Sequence, residues 1–189
     1  MSTLRYRHAT HDDIPALIAL VTSAYRGEAS KQGWTTEADI LDGQRIDAEM
    51  LQADLAQTHS VILLAEDAAG LIACAHIAVE ASEDHIAEPD QCAAYFGMFS
   101  VSPTAQGGGI GKQVLSEAER IAREVLGCRR MRMTVIDCRD ELIAFYERRG
   151  YRRTGIKKPF PYGNPRYGVP KRDDLRFEVL EKPLQERNA

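Results

Sequence analysis

The sequence contains no long apolar run, few cysteines and no spacing typical of metal ligands. No segment approaches the roughly 20 apolar residues that span a bilayer, and no apolar signal core follows Met1, so we expect neither a membrane segment nor a signal peptide. Four cysteines without a CxxC pair and five scattered histidines indicate free thiols, no metal and a reducing, cytoplasmic setting.

The composition that remains is that of an ordinary soluble globular protein. Of the 189 residues, 44% are hydrophobic and 28% are charged, which excludes a mainly disordered chain, a collagen-like chain and a disulfide-rich miniprotein. A chain of this length corresponds to about one domain and can bury a substantial core. No linker or internal repeat divides it, so we predict a single domain over residues 1–189.

The charges are unevenly spread along the chain. The net charge is −4, yet residues 1–90 hold 16 acidic and five basic side chains, whereas residues 129–172 hold 13 basic and four acidic ones. This asymmetry suggests two ligands of opposite charge, and chance clustering on a solvated surface is the alternative. We expect no nucleic-acid partner, because the basic block is short and the whole chain is acidic.

Hydrophobic periodicity predicts an α/β fold with elements in the order βααβββαβαββ. Helices are indicated where apolar residues recur every three or four positions, and strands where short β-branched and aromatic runs occur. The predicted strands cover residues 3–9, 60–66, 71–80, 92–101, 130–136, 151–156 and 175–180. The predicted helices cover residues 14–25, 44–57, 110–126 and 140–149. The proline-rich segment 157–172 is predicted to be a long loop.

The most informative segment joins the predicted strand 92–101 to the helix that follows it. Residues 106–112 read QGGGIGK, and no Ser, Thr, Asp or Asn stands at the helix start to cap it. The first N–H groups therefore lack side-chain acceptors at the positive end of the helix dipole. Glycines let a ligand approach such groups closely, which predicts a phosphate site; the alternative is a flexible turn.

The spacing within this segment discriminates among phosphate-binding motifs. A P-loop requires G-x-x-x-x-G-K-[ST], but Gln106 stands at its first glycine and Gln113 at its Ser/Thr position. A Rossmann G-x-G-x-x-G that starts at Gly109 requires a small residue where Val114 stands. The segment does satisfy Q/R-x-x-G-x-G/A, through Gln106, Gly109 and Gly111.

This motif and its surroundings resemble the GNAT superfamily of N-acetyltransferases. The acyl-CoA signature of that family, Q/R-x-x-G-x-G/A, lies between its fourth strand and its third helix. Upstream, YFGMFSVSP at residues 95–103 is similar to the family's fourth strand with its V-x-P ending. Downstream, AFYERRGY at residues 144–151 is similar to the second signature, A-x-x-x-Y-x-x-x-G-F/Y, with its first element shifted. Clear resemblance covers residues 95–156.

The resemblance implies a GNAT fold and an acetyl-CoA-dependent N-acetyltransferase. The expected sheet is mixed and mostly antiparallel, with six to seven strands, a splay between the fourth and fifth, and about four helices. The acetyl group would pass from acetyl-CoA to a primary amine of a small molecule or peptide by direct attack in a ternary complex. The residues expected to hold acetyl-CoA are Phe99, Ser100, Val101, Gln106, Gly107, Gly108, Gly109, Ile110, Gly111, Lys112, Arg139 and Arg149.

The resemblance makes Tyr146 the expected catalytic residue, as the acid that protonates the departing CoA thiolate. A phenol is protonated at neutral pH and suits this role if it lies near the sulfur; a core tyrosine is the alternative. Two positions depart from the family pattern, because Arg139 replaces an asparagine that often contacts CoA and Leu142 replaces a small residue. No carboxylate lies in residues 92–101, so no general base is assigned, and Glu80 remains one candidate.

The acceptor amine is expected between the first two helices and the loop 157–172. Trp34 and Glu37, with Asp39 and Asp42 nearby, suggest a pocket that favours a cationic amine. Phe160 and Tyr162 suggest a lid over that pocket, and a dimer contact is the alternative. A solvated loop around one buried tryptophan is the alternative interpretation.

A rival function uses the same glycine loop without catalysis. A non-catalytic sensor would bind acyl-CoA or a nucleotide there, and it would have no turnover to lose. The sequence does not distinguish a polyamine, an aminoglycoside, an amino acid, a peptide N-terminus or a lysine side chain as the acceptor. We expect no membrane partner, and the resemblance leaves a homodimer open.

Overall fold

The computed structural model describes residues 4–80 and 92–184. Within this part of the chain, seven strands form one sheet and two short strands form another. The strands are β1 (Arg5–His8), β2 (Leu41–Asp42), β3 (Ser60–Asp67), β4 (Gly70–Val79), β5 (Ala93–Val101), β6 (Arg130–Ile136), β7 (Arg152–Pro159), β8 (Val169–Pro170) and β9 (Arg176–Pro183). The helices are α1 (Ile14–Tyr25), α2 (Gly27–Ser30), α3 (Ala48–Ala56), α4 (Ile110–Glu124) and α5 (Asp140–Glu147).

The large sheet is mixed and mostly antiparallel, in the order β1-β3-β4-β5-β6-β9-β7. The predicted hairpin of β3 and β4 is present, with Asp67 opposite Gly70 at its turn. Strands β5 and β6 run parallel, because α4 carries the chain back between them. This architecture confirms the predicted fold class.

Strands β5 and β6 pair only at their first residues. Ala93–Tyr95 lie opposite Arg130–Arg132, and the pairing stops there although both strands continue. Met98 has a φ of 49° close to the point where the β4–β5 register shifts. A bulge of this kind bends a strand, so the second half of β5 leaves its edge toward β6 unpaired. This is the predicted splay, between the fourth and fifth strands of the large sheet in chain order.

Two apolar clusters cover the two faces of the sheet. Leu63 and Ala65 of β3 belong to the cluster that includes α4, whereas Ile62 and Leu64 belong to the cluster that includes α1 and α3. A strand that is buried on both faces has an uninterrupted apolar run. Helix α4 adds its apolar stripe, including Val114, to the first cluster.

The segment between α1 and α3 meets the proline-rich segment before β9 in the small sheet. Strand β2 pairs antiparallel with β8, with Leu41 opposite Pro170. Arg166 donates two hydrogen bonds to the Asp47 carboxylate, at 3.0 and 3.1 Å. Phe160 packs with Leu41 in a third apolar cluster. The segment predicted as a loop is therefore folded against the body of the protein.

Two cysteines contradict the expectation of free thiols. Cys92 and Cys128 form a disulfide, with their Cα atoms 4.7 Å apart, whereas Cys74 and Cys138 are free. The parallel pairing of β5 with β6 places the residues that precede both strands side by side, and Arg129 N donates to Cys92 O at 3.0 Å. The two cysteines are 36 positions apart in sequence, so no local pattern indicates this proximity.

Several predicted boundaries shift by a few residues. Helix α3 begins four residues later than predicted, because Asp47 caps it through a hydrogen bond from Met50 N at 2.8 Å. Arg139, rather than Asp140, occupies the cap position of α5, and no side chain caps that helix. The predicted loop over residues 81–91 lies outside the described residues.

Candidate active site

The glycine loop lies at the N-terminus of α4, directly after β5. Gly109 is the cap residue with a φ of 81°, and no side chain caps the helix, as the sequence predicts. A Cβ atom on Gly107 or Gly109 would meet nothing within 4 Å, so the loop faces open space. The N–H groups of the first turn are therefore available to an anion.

A cleft of about 320 Å³ opens beside this loop, and we call it the glycine-loop cleft. Gly111 allows α4 to approach β5 closely, because its Cβ would lie 3.3 Å from Phe99 Cζ. The cleft brings together most residues predicted to hold acetyl-CoA, whereas Gly108 and Ile110 belong to the loop but not to the lining. The predicted residues that line it are Phe99, Ser100, Val101, Gln106, Gly107, Gly109, Gly111, Lys112, Arg139 and Arg149.

Gln106 connects the glycine loop to the segment that follows α2. Its Oε1 accepts a hydrogen bond from Trp34 N at 2.7 Å, and its Nε2 donates to Val101 O at 3.0 Å. The amide packs so closely against Gly33 that a Cβ there would lie 2.6 Å from Oε1. The Gln106 side chain therefore holds the cleft in shape from both sides.

A larger cavity of about 560 Å³ lies on the other side of the β5–β6 splay, and we call it the inner cavity. Its walls come from α1, α3, β4, β5, β6 and α5, with Phe160 as a further contributor. The residues that line both the inner cavity and the glycine-loop cleft are Tyr25, Phe99, Arg139, Leu142 and Tyr146. Groups bound in the two spaces can therefore meet at this shared wall.

Tyr146 is buried in the shared wall, with 4% of its surface exposed. The rings of Phe96, Phe145 and Tyr151 contact it edge-on, and no group in the described chain forms a hydrogen bond with its hydroxyl. Burial raises the pKa of this phenol, while the charges of Arg139 and Arg149 act in the opposite direction. Tyr146 is therefore protonated at neutral pH and has a hydroxyl free to donate.

Glu37 lies in a buried cluster of arginines. Arg26 Nη1 donates to one carboxylate oxygen at 2.6 Å and Arg139 Nη1 donates to the other at 2.8 Å. Arg139 Nη2 also donates to Thr35 Oγ1 at 2.8 Å. Burial by itself raises the pKa of the Glu37 carboxyl, but Arg139, Arg45 and Arg26 together hold it below its ordinary value. Glu37 is therefore ionised, and two guanidiniums share its charge.

This cluster corrects the expectation of an acidic acceptor pocket. Glu37 does line the inner cavity, but Arg26 and Arg139 neutralise it. Asp39 and Asp42 are exposed, and Asp42 pairs with Lys171 at 3.0 Å. Arg139 and Lys171 come from distant parts of the chain, so the local run of acidic residues does not by itself determine the charge of the pocket.

The other two predicted acceptor residues lie on different walls. Trp34 is 45% exposed and lines the glycine-loop cleft, where its ring centroid is 5.6 Å from that of Phe145. It therefore stands beside the predicted cofactor site rather than in the inner cavity. Phe160 is buried and lines the inner cavity, packed against Leu41 and Leu175.

The inner cavity also contains an acid–base pair that the sequence analysis did not assign to the site. His76 Nδ1 lies 3.7 Å from Asp54 Oδ2, and His76 Nε2 lies 2.8 Å from Ser60 Oγ. Burial lowers the pKa of His76 and raises that of Asp54, and each group partly offsets the shift of the other. The pair can thus take up a proton. Glu80 contacts Arg132 at 3.4 Å instead and lines neither space.

Two further residues of the inner cavity have no signature in the sequence. Tyr25 was predicted only as part of the apolar stripe of the first helix, yet its hydroxyl donates to Phe99 O at 2.7 Å. Arg45 was predicted as an ordinary helix residue, yet its guanidinium lies over the Tyr25 ring, 4.7 Å from the centroid. Only the packing of α1 and the segment before α3 onto β5 brings these residues together.

The sequence matches a known protein family over most of its length. Residues 19–151, more than half of the chain, match the acetyltransferase (GNAT) family. The chain belongs to the GNAT acetyltransferase family. The matched range includes the glycine loop and Tyr146, so the two signatures identified in the sequence lie inside the part that this GNAT acetyltransferase shares with its family.

Solved structures of acetyltransferases are similar over nearly the whole GNAT chain. The structure of yncA from Salmonella typhimurium, with its cofactor acetyl-CoA, has a TM-score of 0.67 and 20% identity over 98% of this chain and 96% of that one. Arabidopsis thaliana NAA60 in complex with acetyl-CoA has a TM-score of 0.68 and 15% identity over 96% and 98%. Ribosomal-protein-alanine N-acetyltransferase from Brucella melitensis has a TM-score of 0.66 and 19% identity over 95% and 99%. At these identities the similarity shows the fold.

No curated protein matches the chain. Among residues 4–80 and 92–184, no helix is long and apolar enough to cross a membrane. The same residues contain no group of three or more His, Cys, Asp or Glu side chains arranged to hold a metal ion.

Proposed function

We propose that this acetyltransferase moves an acetyl group from acetyl-CoA to the primary amine of a small molecule or peptide, by direct attack in a ternary complex. The observation that carries the proposal is the position of Tyr146 on the wall shared by the glycine-loop cleft and the inner cavity. One space suits a phosphate-bearing thioester and the other suits a second substrate. The two substrates would meet beside a protonated phenol.

The glycine-loop cleft fits CoA in charge and in backbone geometry. The uncapped first turn of α4 offers N–H donors to a pyrophosphate, and Lys112, Arg148 and Arg149 line the cleft for the outlying phosphates. The edge of β5 at residues 99–101 has no partner strand toward β6. Tyr25 and Gln106 already donate to the Phe99 and Val101 carbonyls, so the backbone N–H groups of this edge are what it offers to the pantetheine arm. Acetyl-CoA, when bound, supplies the thioester carbonyl carbon as the electrophile.

Tyr146 would donate its hydroxyl proton to the departing sulfur. A phenol is already protonated at neutral pH, and burial raises the pKa of Tyr146 further. Arg139 and Arg149 favour the phenolate that forms after donation, since their charges act against the effect of burial. We infer that Arg139, which stands where relatives often carry asparagine, serves the site by orienting Glu37 and by stabilising this phenolate.

The acceptor amine must lose a proton before or during its attack. A primary amine has a pKa near ~10 in water, so a proton acceptor in the cavity assists the reaction at neutral pH. The Asp54–His76 pair lines the inner cavity and can take up that proton. We therefore place the base function at this pair rather than at Glu80.

Replacement of Tyr146 by phenylalanine tests the proposal against the rival of a non-catalytic sensor. We expect Tyr146→Phe to lower kcat by about 10²-fold or more, the contribution typical of a positioned acid, with CoA affinity unchanged within twofold. Release of the CoA thiol with a panel of amines gives the rates, and calorimetry gives the affinities. Tyr6→Phe is the matched control, because Tyr6 lies on β1 and lines neither space.

Each outcome of this experiment is informative. Full activity in Tyr146→Phe would remove Tyr146 from the proton-donor role. Wild-type protein that binds acetyl-CoA tightly but acetylates no amine in the panel would favour the sensor.

A further inference from the structure

One part of the inner cavity carries an excess of positive charge. The side chains of Arg26, Arg45 and Arg139 line the cavity, and Glu37 is the carboxylate among them. Glu37 forms ion pairs with Arg26 and Arg139, at 2.6 and 2.8 Å. One negative charge therefore faces three positive charges in a space that is largely shielded from water.

Arg45 is the arginine of this cluster that makes no ion pair, although the Glu37 carboxylate still favours its charge. Its guanidinium stacks over the Tyr25 ring, and no carboxylate within residues 4–80 and 92–184 forms an ion pair with it. Stacking occupies the face of a guanidinium, whereas its N–H donors lie in the plane and point outward from the edge. Within the described residues no carboxylate occupies the in-plane N–H donors of Arg45, so these donors are available to an oxyanion.

The neighbouring arginines add a second indication of the same kind. Arg26 Nε and Nη2 and Arg139 Nε are buried and have no hydrogen-bond partner in the described structure. Uncompensated guanidinium charge in a shielded cavity is unfavourable, and an anion bound nearby offsets it. The cluster thus has N–H donors beyond those that Glu37 uses.

We propose that the acceptor carries an anionic group and that Arg45 recognises it. The chemical class is a small amine with a carboxylate, phosphonate or phosphinate a few bonds from its nitrogen. This proposal rests on the proposed acetyl transfer and specifies its acceptor. It excludes polyamines, whose multiple positive charges would be repelled by the same arginines.

The position of Arg45 relative to the shared wall determines the size of the acceptor. Tyr25 lines both the inner cavity and the glycine-loop cleft, and the Arg45 guanidinium is 4.7 Å from its ring centroid. An anion on Arg45 consequently lies near the Tyr25 ring, which belongs to the same wall as Tyr146. An amine a few bonds away from that anion reaches the shared wall, whereas a long extended diamine places its nitrogen elsewhere.

The remaining titratable groups of the cavity suit the amine end of such a molecule. Asp54 and His76 lie on α3 and β4, and together they can accept the proton that an ammonium group must lose. Arg45 would bind the anion, whereas Asp54 and His76 would take up the proton, so the two tasks fall to separate side chains. A zwitterionic acceptor therefore satisfies both parts of the cavity.

Matched ligand pairs test the proposal directly. Protein saturated with CoA is titrated by calorimetry with the twenty amino acids and with short aminoalkylphosphonates, and each acid is compared with its carboxamide or with the parent alkylamine. We expect at least one anionic member to bind at least tenfold more tightly than its uncharged partner. The carboxylate and phosphonate arms of the panel distinguish the two kinds of oxyanion.

Substitution of Arg45 then assigns the effect to that residue. Arg45→Met keeps much of the side-chain length and removes the charge. We expect this variant to bind the preferred anionic amine at least tenfold more weakly than the wild type does, and its KM for that amine to be at least tenfold higher. Binding of the carboxamide of that amine should change by less than twofold, kcat should be largely retained, and Arg45→Lys should restore part of the affinity. Arg152→Met is the control, because Arg152 is exposed on β7 outside the inner cavity.

Failure of this proposal is distinguishable from failure of the proposed function. A wild-type protein that does not bind CoA would contradict acetyl transfer. Arg45→Met should bind CoA like the wild type, whether or not the acceptor proves to be anionic. The proposal is overturned if no anionic amine binds better than its uncharged partner, if a polyamine is the best acceptor, or if Arg45→Met leaves the preference unchanged.

Discussion

At the scale of single residues, Glu37 holds together the arginines of the inner cavity. Its side chain is 7% exposed, and that of its partner Arg26 is 5% exposed. Removal of one partner from a buried ion pair is far more damaging than removal of both, because the remaining charge is left without compensation. Here two guanidiniums, those of Arg26 and Arg139, would lose their common acceptor.

We predict that Glu37→Gln destabilises the fold by about 3–5 kcal/mol, the usual cost of leaving a buried charge unpaired. Urea unfolding at neutral pH measures this change in the free energy of unfolding. Asp174→Asn is the matched control, since it removes a carboxylate from the exposed pair with Arg172 and should have no measurable effect. An equal effect of the two substitutions would show that the Glu37 cluster contributes no more than a surface pair.

Tyr146 and Glu37 differ in how far the sequence could predict them. Tyr146 stands at a fixed place in a short signature, so the resemblance identified it without coordinates. The role of Glu37 depends on Arg26 and Arg139, and Arg139 lies 102 residues away in the chain. No local pattern encodes such a pairing, and the acidic residues around Glu37 therefore suggested a cationic ligand where the structure has an arginine cluster.

At the scale of elements, the segment before β9 is attached to the start of α3. Arg166 donates to both oxygens of Asp47, which also caps α3 through Met50 N. The hydrogen bonds from Arg166, and to a smaller extent the one from Met50 N, lower the pKa of the Asp47 carboxyl to about 2. A carboxyl whose pKa is lower in the folded state than in the unfolded chain, near ~3.9, stabilises the fold above that pH.

We predict that Asp47→Asn, which keeps a good capping residue, is less stable than the wild type at pH 7. The difference should shrink as the pH falls from about 4 to about 2, because the wild-type carboxyl becomes protonated in that window. Urea unfolding of both proteins between pH 2 and pH 7 measures it. A difference that stays constant across this range would mean that ionisation of Asp47 plays no part.

The predicted elements were those with a strong local signal. Helix α4 has a clear apolar stripe, and the apolar runs of β3 and β4 flank a turn at Gly70, so each could be placed from sequence alone. Strands β2 and β8 contain two residues each, and they exist only because distant segments meet. The disulfide between Cys92 and Cys128 likewise depends on the parallel pairing of β5 with β6.

At the scale of the whole molecule, the uneven charge of the sequence is largely matched inside the fold. Acidic side chains of the first half pair with basic side chains of the second half. These pairs are Glu37 with Arg139, Asp42 with Lys171, Asp47 and Glu49 with Arg166, and Glu80 with Arg132. The asymmetry therefore reflects how the two halves of the chain associate, in addition to any ligand.

The two halves also divide the site between them. The second half supplies the glycine loop and Tyr146, whereas the first half supplies Tyr25 and Arg45. The splay between β5 and β6 is the place where these contributions meet. We propose that the glycine loop at this splay binds the pyrophosphate of CoA.

Calorimetric titration with CoA, acetyl-CoA and Mg·ATP tests that claim most directly, with Gly109→Asp as the variant. Gly109 and Gly155 share a φ of 81° and open surroundings, so Gly155→Asp on β7 is a control with the same backbone strain and the same added charge. We predict tight binding of CoA and acetyl-CoA by the wild type and by Gly155→Asp, at least a tenfold loss in Gly109→Asp, and no comparable binding of Mg·ATP. Absence of CoA binding by folded wild-type protein, or unchanged CoA affinity in Gly109→Asp, would contradict the account.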